Sequence, residues 1–179
     1  KVIIMDRRNL GRSEVSFANA EPMAGEEAED LHVLLQRLDI DSAIFYGMSS
    51  GSRSNMVLAE RYPEQVDALI IAPLTGGPIA AQRLSEEYFL SYLRDDSLTS
   101  MEAVAQTPLW KGYMERNSPE LQKIFMEQNI DDFLATMKMT GEFLASFHAK
   151  TTLGMTDEQL MSLEVPATLI LHHGQEIDF

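Results

Sequence analysis

Four short apolar runs punctuate the chain, at 2–5, 43–46, 68–72 and 167–171, each closing on turn-forming or polar residues. They are rich in Val, Ile and Leu and continuous in polarity rather than alternating. That pattern predicts strands covered on both faces, as in a parallel sheet. Helical spacing lies between them. Leu31, Leu34, Leu35 and Leu38 fall at i, i+3, i+4 and i+7 and present one apolar stripe to a core. Glu26, Glu27, Glu29 and Asp30 occupy the first turns of the same helix, where carboxylates favour the positive end of the dipole. Residues 50–61 read as a second helix, stopped near Tyr62-Pro63. Strand, helix, strand, helix, strand predicts a doubly wound α/β layer.

From about Thr75 to Met161 the rhythm changes and no strand pattern is found. Thr75-Gly76-Gly77-Pro78 reads as a turn, followed by helical groupings such as Leu84/Tyr88/Tyr92, Leu121/Ile124/Phe125 and Phe143/Leu144/Phe147. Ser118-Pro119 is a helix start, an N-cap residue followed by Pro at the first helical position. Seven of the 11 Met residues lie between Met101 and Met161. This predicts a core made of 1–74 and 162–179, with 75–161 as a helical insertion lying over the sheet.

Composition narrows the function classes. The net charge of −14 argues against nucleic-acid or acidic-membrane partners, which need clustered Lys and Arg. The absence of Cys excludes disulfides, thiolate metal sites and a Cys nucleophile, and fits a reducing, cytoplasmic setting. No apolar stretch reaches the ~18 residues that span a bilayer. No cofactor and no metal site is expected. The chain starts inside one apolar run and stops shortly after another, so it is expected to be the middle of a larger domain.

One motif carries chemistry. Gly47-Met48-Ser49-Ser50-Gly51 follows the run at 43–46 and precedes the helix at 50–61, which places G-x-S-x-G in a strand–turn–helix setting, the nucleophile elbow. Small residues two positions either side of Ser49 let strand and helix approach closely. The turn lifts the serine hydroxyl out at the carboxyl edge of the sheet. It also sets the Ser50 N–H at a helix N-terminus, where it can stabilise an oxyanion.

The flanking segments resemble the α/β-hydrolase family. Asp6-Arg7-Arg8-Asn9-Leu10-Gly11-Arg12-Ser13 resembles its D-x-R-G-x-G-x-S loop, with Asn9 in place of a Gly. Asn enters the left-handed region readily. Arg61-Tyr62-Pro63-Glu64-Gln65-Val66 is similar to the R-x-P-E-x-V end of its elbow helix, and Val165-Pro166-Ala167-Thr168 to its strand before the triad acid. The resemblance implies an α/β fold with a mostly parallel sheet, helices on both faces and a helical cap. It implies Ser49 as nucleophile and Ser50 as one oxyanion donor. The triad acid falls on Asp178 or Glu176, which flank Ile177 at the usual position, with Asp178 preferred. In this family a His follows the acid; none follows Asp178 here. His32 reads as a surface residue, His172 and His173 point to opposite faces of a strand end, and His148 is an unorthodox candidate base. The resemblance also implies that the second oxyanion donor and one central strand are to be expected upstream of Lys1. The 179 residues expressed alone are therefore expected to be unstable and poorly active.

Serine at the elbow favours acyl transfer to water, on an ester, thioester, lactone or activated C–C bond. Met48, Trp110 and His148 are the candidate substrate contacts, among Met and aromatic side chains able to line an apolar pocket for a small molecule. Few Lys and Arg argue against a highly anionic substrate. The alternative is a catalytically silent binding protein of the same fold. Oligomeric state is not readable from the sequence.

Overall fold

Parallel pairing of Ala43–Gly47 (β1) with Val66–Ile71 (β2) forms the centre of the computed structural model, which describes residues 1–9, 12–72, 78–146 and 155–169. Ala167–Leu169 (β3) adds to the other edge of β2, with Leu69 opposite Ala167, to give a three-stranded parallel sheet ordered β1-β2-β3. Being central, β2 buries Val66, Leu69 and Ile71. β1 is covered on one face only among the described residues. Phe45 packs inward, whereas Ile44 and Tyr46, alternating to the other face, are each 63% exposed.

The run at 2–5 forms no strand. Val2 is 84% and Ile4 92% exposed. β-propensity alone does not make a strand, because the backbone needs a ladder partner, and no described residue supplies one.

Helix Met23–Arg37 (α1) lies against helix Ser50–Arg61 (α2), which in turn packs on β1 and β2. Residues 52–59 of α2 are all buried, so this helix sits in the interior rather than on the surface. Its apolar members Met56, Leu58 and Ala59 join Ala28, Val66 and Leu69 in one core cluster. The α1 stripe is narrower than the Leu spacing suggests. Leu35 is buried, Leu38 is exposed beyond the helix end, and Glu27 takes a buried position instead.

Residues 78–161 hold helices Pro78–Tyr88 (α3), Met101–Ala105 (α4), Pro108–Arg116 (α5), Pro119–Met126 (α6), Ile130–Ala145 (α7) and Asp157–Met161 (α8), with no strand among the described residues. Their starts follow the side chains that cap them. Ser118 accepts from the Leu121 N–H at 3.4 Å ahead of Pro119, Asn129 accepts from Asp131 and Asp132, and Thr156 with Gln159 closes a capping box on α8. A second core forms here around Phe17, whose ring meets Trp110, Phe125 and Phe133 edge-on at 5.6, 6.1 and 4.9 Å. Phe17 lies in the loop before α1, and its carbonyl accepts from the buried Thr136 hydroxyl of α7. One aromatic thus fastens the loop after Asn9 to the helical segment.

Candidate active site

The turn between β1 and α2 is shaped by what surrounds Gly47. A Cβ at Gly47 would lie 2.6 Å from the Gly51 carbonyl oxygen and 2.7 Å from Asn55 Nδ2, whereas one at Gly51 would meet nothing within 4 Å. The first glycine is therefore required by close approach of strand and helix. The Ser52 hydroxyl donates to the Gly47 carbonyl at 2.8 Å and fixes the exit of β1. Gly47→Ala is expected to cost about 2–3 kcal/mol and Gly51→Ala less than about 0.5 kcal/mol, compared by urea denaturation. Equal costs would contradict this account of the turn.

Ser49 sits at the tip of this turn with φ 52° and ψ −115°, a strained conformation for a residue with a side chain. It is exposed, at the carboxyl end of β1, where open α/β sheets place their ligands. Ser50 is the first residue of α2, so its N–H is one that the helix does not use. Both line a cavity of about 570 Å³ between the loop at 7–9, the N-terminal turns of α1 and α2, and helices α3, α5 and α7. Trp110 reaches the same cavity from α5, with Tyr88, Phe89, Met137 and Leu144 supplying further apolar wall. Met48, by contrast, is 62% exposed and is not part of that wall. His148, Glu176 and Asp178, with His172 and His173, lie outside the described residues.

Below the cavity is a charged layer that the sequence reading did not single out. Glu27, 4% exposed, accepts from Arg7 Nη1 on both carboxylate oxygens, at 3.0 and 3.1 Å, and from the Ser54 hydroxyl of α2. Arg8 donates to both oxygens of Asp30 at 2.7 Å and to Glu26 at 2.8 Å. The acidic turns of α1 are therefore ion-pair partners for the loop at 7–9, beyond any service to the helix dipole. Asn9 adopts φ 63°, and its Oδ1 accepts the Ser16 N–H at 2.7 Å. Arg53, one turn along α2 from Ser49, is only 9% exposed and lines the cavity, with its Nη1 unpartnered. Burial pushes its guanidinium down from the ordinary value, with Glu27 acting in the other direction. The clue visible in the sequence was an Arg close behind the elbow, near a helix N-terminus where the dipole disfavours a cation. His32 stacks on Tyr62 at 3.8 Å, away from the cavity wall.

No group of His, Asp or Glu among the described residues is arranged to hold a metal ion, and none of their helices is long and apolar enough to cross a membrane.

No family model and no curated protein sequence matches the chain. Solved structures do. The epoxide hydrolase CorEH superposes with a TM-score of 0.51 at 16% identity, over 90% of this chain and 62% of that one. A marine microorganism esterase gives 0.46 at 20% identity, over 90% and 62%. An alpha/beta hydrolase enzyme from a Medee basin deep-sea metagenome library gives 0.43 at 17%, over 90% and 57%. The chain has the α/β-hydrolase fold. It spans about six-tenths of the length of these structures.

Proposed function

We propose that the protein is a serine hydrolase that cleaves a small, largely apolar ester or related acyl compound through an acyl-enzyme on Ser49. The observation that carries this reading is the strained, exposed Ser49 at the β1–α2 turn, facing a cavity beside the Ser50 N–H. The Ser49 Oγ attacks the substrate carbonyl carbon, and the oxyanion that forms is met by the Ser50 N–H. The C–O bond to the alcohol breaks, and the alcohol leaves with the proton given up by Ser49. Water then attacks the acyl-Ser49 ester, releasing the carboxylic acid and restoring the hydroxyl. A general base moves both protons; by resemblance to the family it is a histidine oriented by Asp178 or Glu176. Protein groups and water suffice for this sequence of steps.

The cavity volume, within the 300–1,000 Å³ range of small-molecule sites, and its aromatic and Met lining support a small apolar acyl group. Serine in the elbow favours acyl transfer over epoxide opening through an enzyme carboxylate. The test is labelling of the intact protein with a fluorophosphonate probe, followed by peptide mapping. Modification of Ser49, absent in Ser49→Ala, is expected. A folded protein left unlabelled at Ser49 overturns the reading in favour of a binding protein without turnover.

A further inference from the structure

Four guanidinium groups line the cavity against two carboxylates, Glu27 and Glu87, in a chain whose net charge is −14. Three of the four are already committed: Arg7 to Glu27 at 3.0 Å, Arg8 to Asp30 at 2.7 Å, and Arg83 to Glu87 at 3.1 Å. Arg53 makes no ion pair with any described residue, although it is 9% exposed and its Nη1 has no hydrogen-bond partner. Glu27 offsets part of its charge at a distance but is itself taken by Arg7 and Ser54, and a buried cation with no direct anionic contact calls for an occupant of opposite charge.

Two more polar groups that line the same cavity are unsatisfied. Asn9 Nδ2 is a donor, since the Oδ1 of that amide is taken by the Ser16 N–H, and it has no acceptor. The Thr140 hydroxyl of α7, in a residue 4% exposed, also lacks a partner. A guanidinium N–H, an amide N–H and a hydroxyl, all unmatched and all on one cavity, call for a compact group rich in acceptors. A carboxylate has about four acceptor positions and pairs with a guanidinium in plane. Phosphate fits less well, because Arg53 alone among the described cations of the cavity is free of an ion pair to offset its charge.

We infer that Arg53, together with Asn9 and Thr140 of the same cavity lining, forms a subsite for a carboxylate carried by the substrate, so that the preferred substrates are half-esters of short dicarboxylic acids. This assignment rests on the reading of Ser49 as the acyl acceptor. One helical turn, a rise of about 6 Å, separates Ser49 from Arg53, so both can act on one small molecule. The apolar walls would then hold the carbon chain and the leaving group, and Arg53 would fix which end of the molecule meets Ser49.

The experiment compares hydrolysis of mono-p-nitrophenyl glutarate and p-nitrophenyl butyrate by the intact protein and by Arg53→Met and Arg53→Lys. The wild type is expected to favour the glutarate by about 10- to 100-fold in kcat/KM, mostly through KM, as one charge-assisted contact allows. Arg53→Met is expected to abolish that ratio and Arg53→Lys to restore part of it. A wild-type ratio near one overturns the subsite, as does a ratio unchanged in Arg53→Met, while leaving Ser49 hydrolysis intact. Calorimetric titration with glutarate monoamide against neutral glutaramide reads the subsite without turnover. Binding of the monoamide alone, lost in Arg53→Met, supports the subsite even where Ser49 proves inactive; equal or absent binding of both overturns it.

Discussion

Replacing Ser49 by Gly is expected to abolish turnover and, at the same time, to raise stability by about 1 kcal/mol. The two effects have one origin. Ser49 is held at φ 52° and ψ −115°, a region that costs a residue with a Cβ about 1–3 kcal/mol. Glycine adopts it without that penalty, but loses about 0.5–1 kcal/mol through the greater freedom of its unfolded chain. The difference leaves a net gain near 1 kcal/mol. Ser49 makes no side-chain cap on α2 and is exposed, so removing the hydroxyl breaks no structural contact of the kind that would cancel the gain. Ser49→Ala separates the terms: it loses the nucleophile equally but keeps the Cβ, so its stability should stay within about 0.5 kcal/mol of wild type. Ester turnover in both variants should fall by about 10³-fold or more, because loss of a nucleophile leaves only binding and oxyanion stabilisation. Urea midpoints and initial rates on the same preparations decide the matter. A Ser49→Gly variant less stable than Ser49→Ala would show that the turn is not strained, and retained turnover in either would remove Ser49 from the chemistry.

The elbow that holds this strain was legible in the sequence because it is local. Five residues between an apolar run and a helical pattern define the turn, and β1 and α2 form where Gly47 and Gly51 bracket Ser49. The same holds for the helix starts at Ser118 and for Asn9, whose positive φ answers to its place in a turn. What the sequence concealed depends on partners far along the chain. The run at 2–5 has strand composition yet no ladder, since pairing is a property of two segments. Phe17 is a lone aromatic in a loop, and its place at the centre of a core emerges only from Trp110, Phe125 and Phe133, more than 90 residues later. Arg53 carries only the weak local mark of a cation near a helix N-terminus, because the burial of α2 from Ser52 to Ala59 depends on what packs around it.

Glu27 shows most sharply how a local reading falls short, and it sets the largest expected loss of stability. By position it is a carboxylate just past the first turn of α1, a role worth less than about 1 kcal/mol. By environment it is a buried anion that ties α1 to two other segments: it accepts from Arg7 of the loop and from Ser54 of α2, and it offsets the charge of Arg53, also on α2. Glu27→Ala leaves Arg7 without its partner and Arg53 without the one charge that offsets its burial, so a loss of about 3–5 kcal/mol is expected. Glu27→Gln keeps an acceptor for one donor and should lose less, about 1.5–3 kcal/mol. The comparison that isolates burial is Arg61→Ala. Arg61 pairs with Glu21 at 2.5 Å and Glu29 at 3.0 Å, but all three side chains are about one-third exposed, and such pairs contribute about 1 kcal/mol or less. Salt sharpens the distinction. At about 1 M ionic strength the screening length is roughly 3 Å, so the cost of Arg61→Ala should shrink while that of Glu27→Ala persists. If Glu27→Ala proves no more damaging than Arg61→Ala in urea unfolding, the Arg7–Glu27–Ser54 cluster is not what holds the loop at 7–9 against the floor of the cavity.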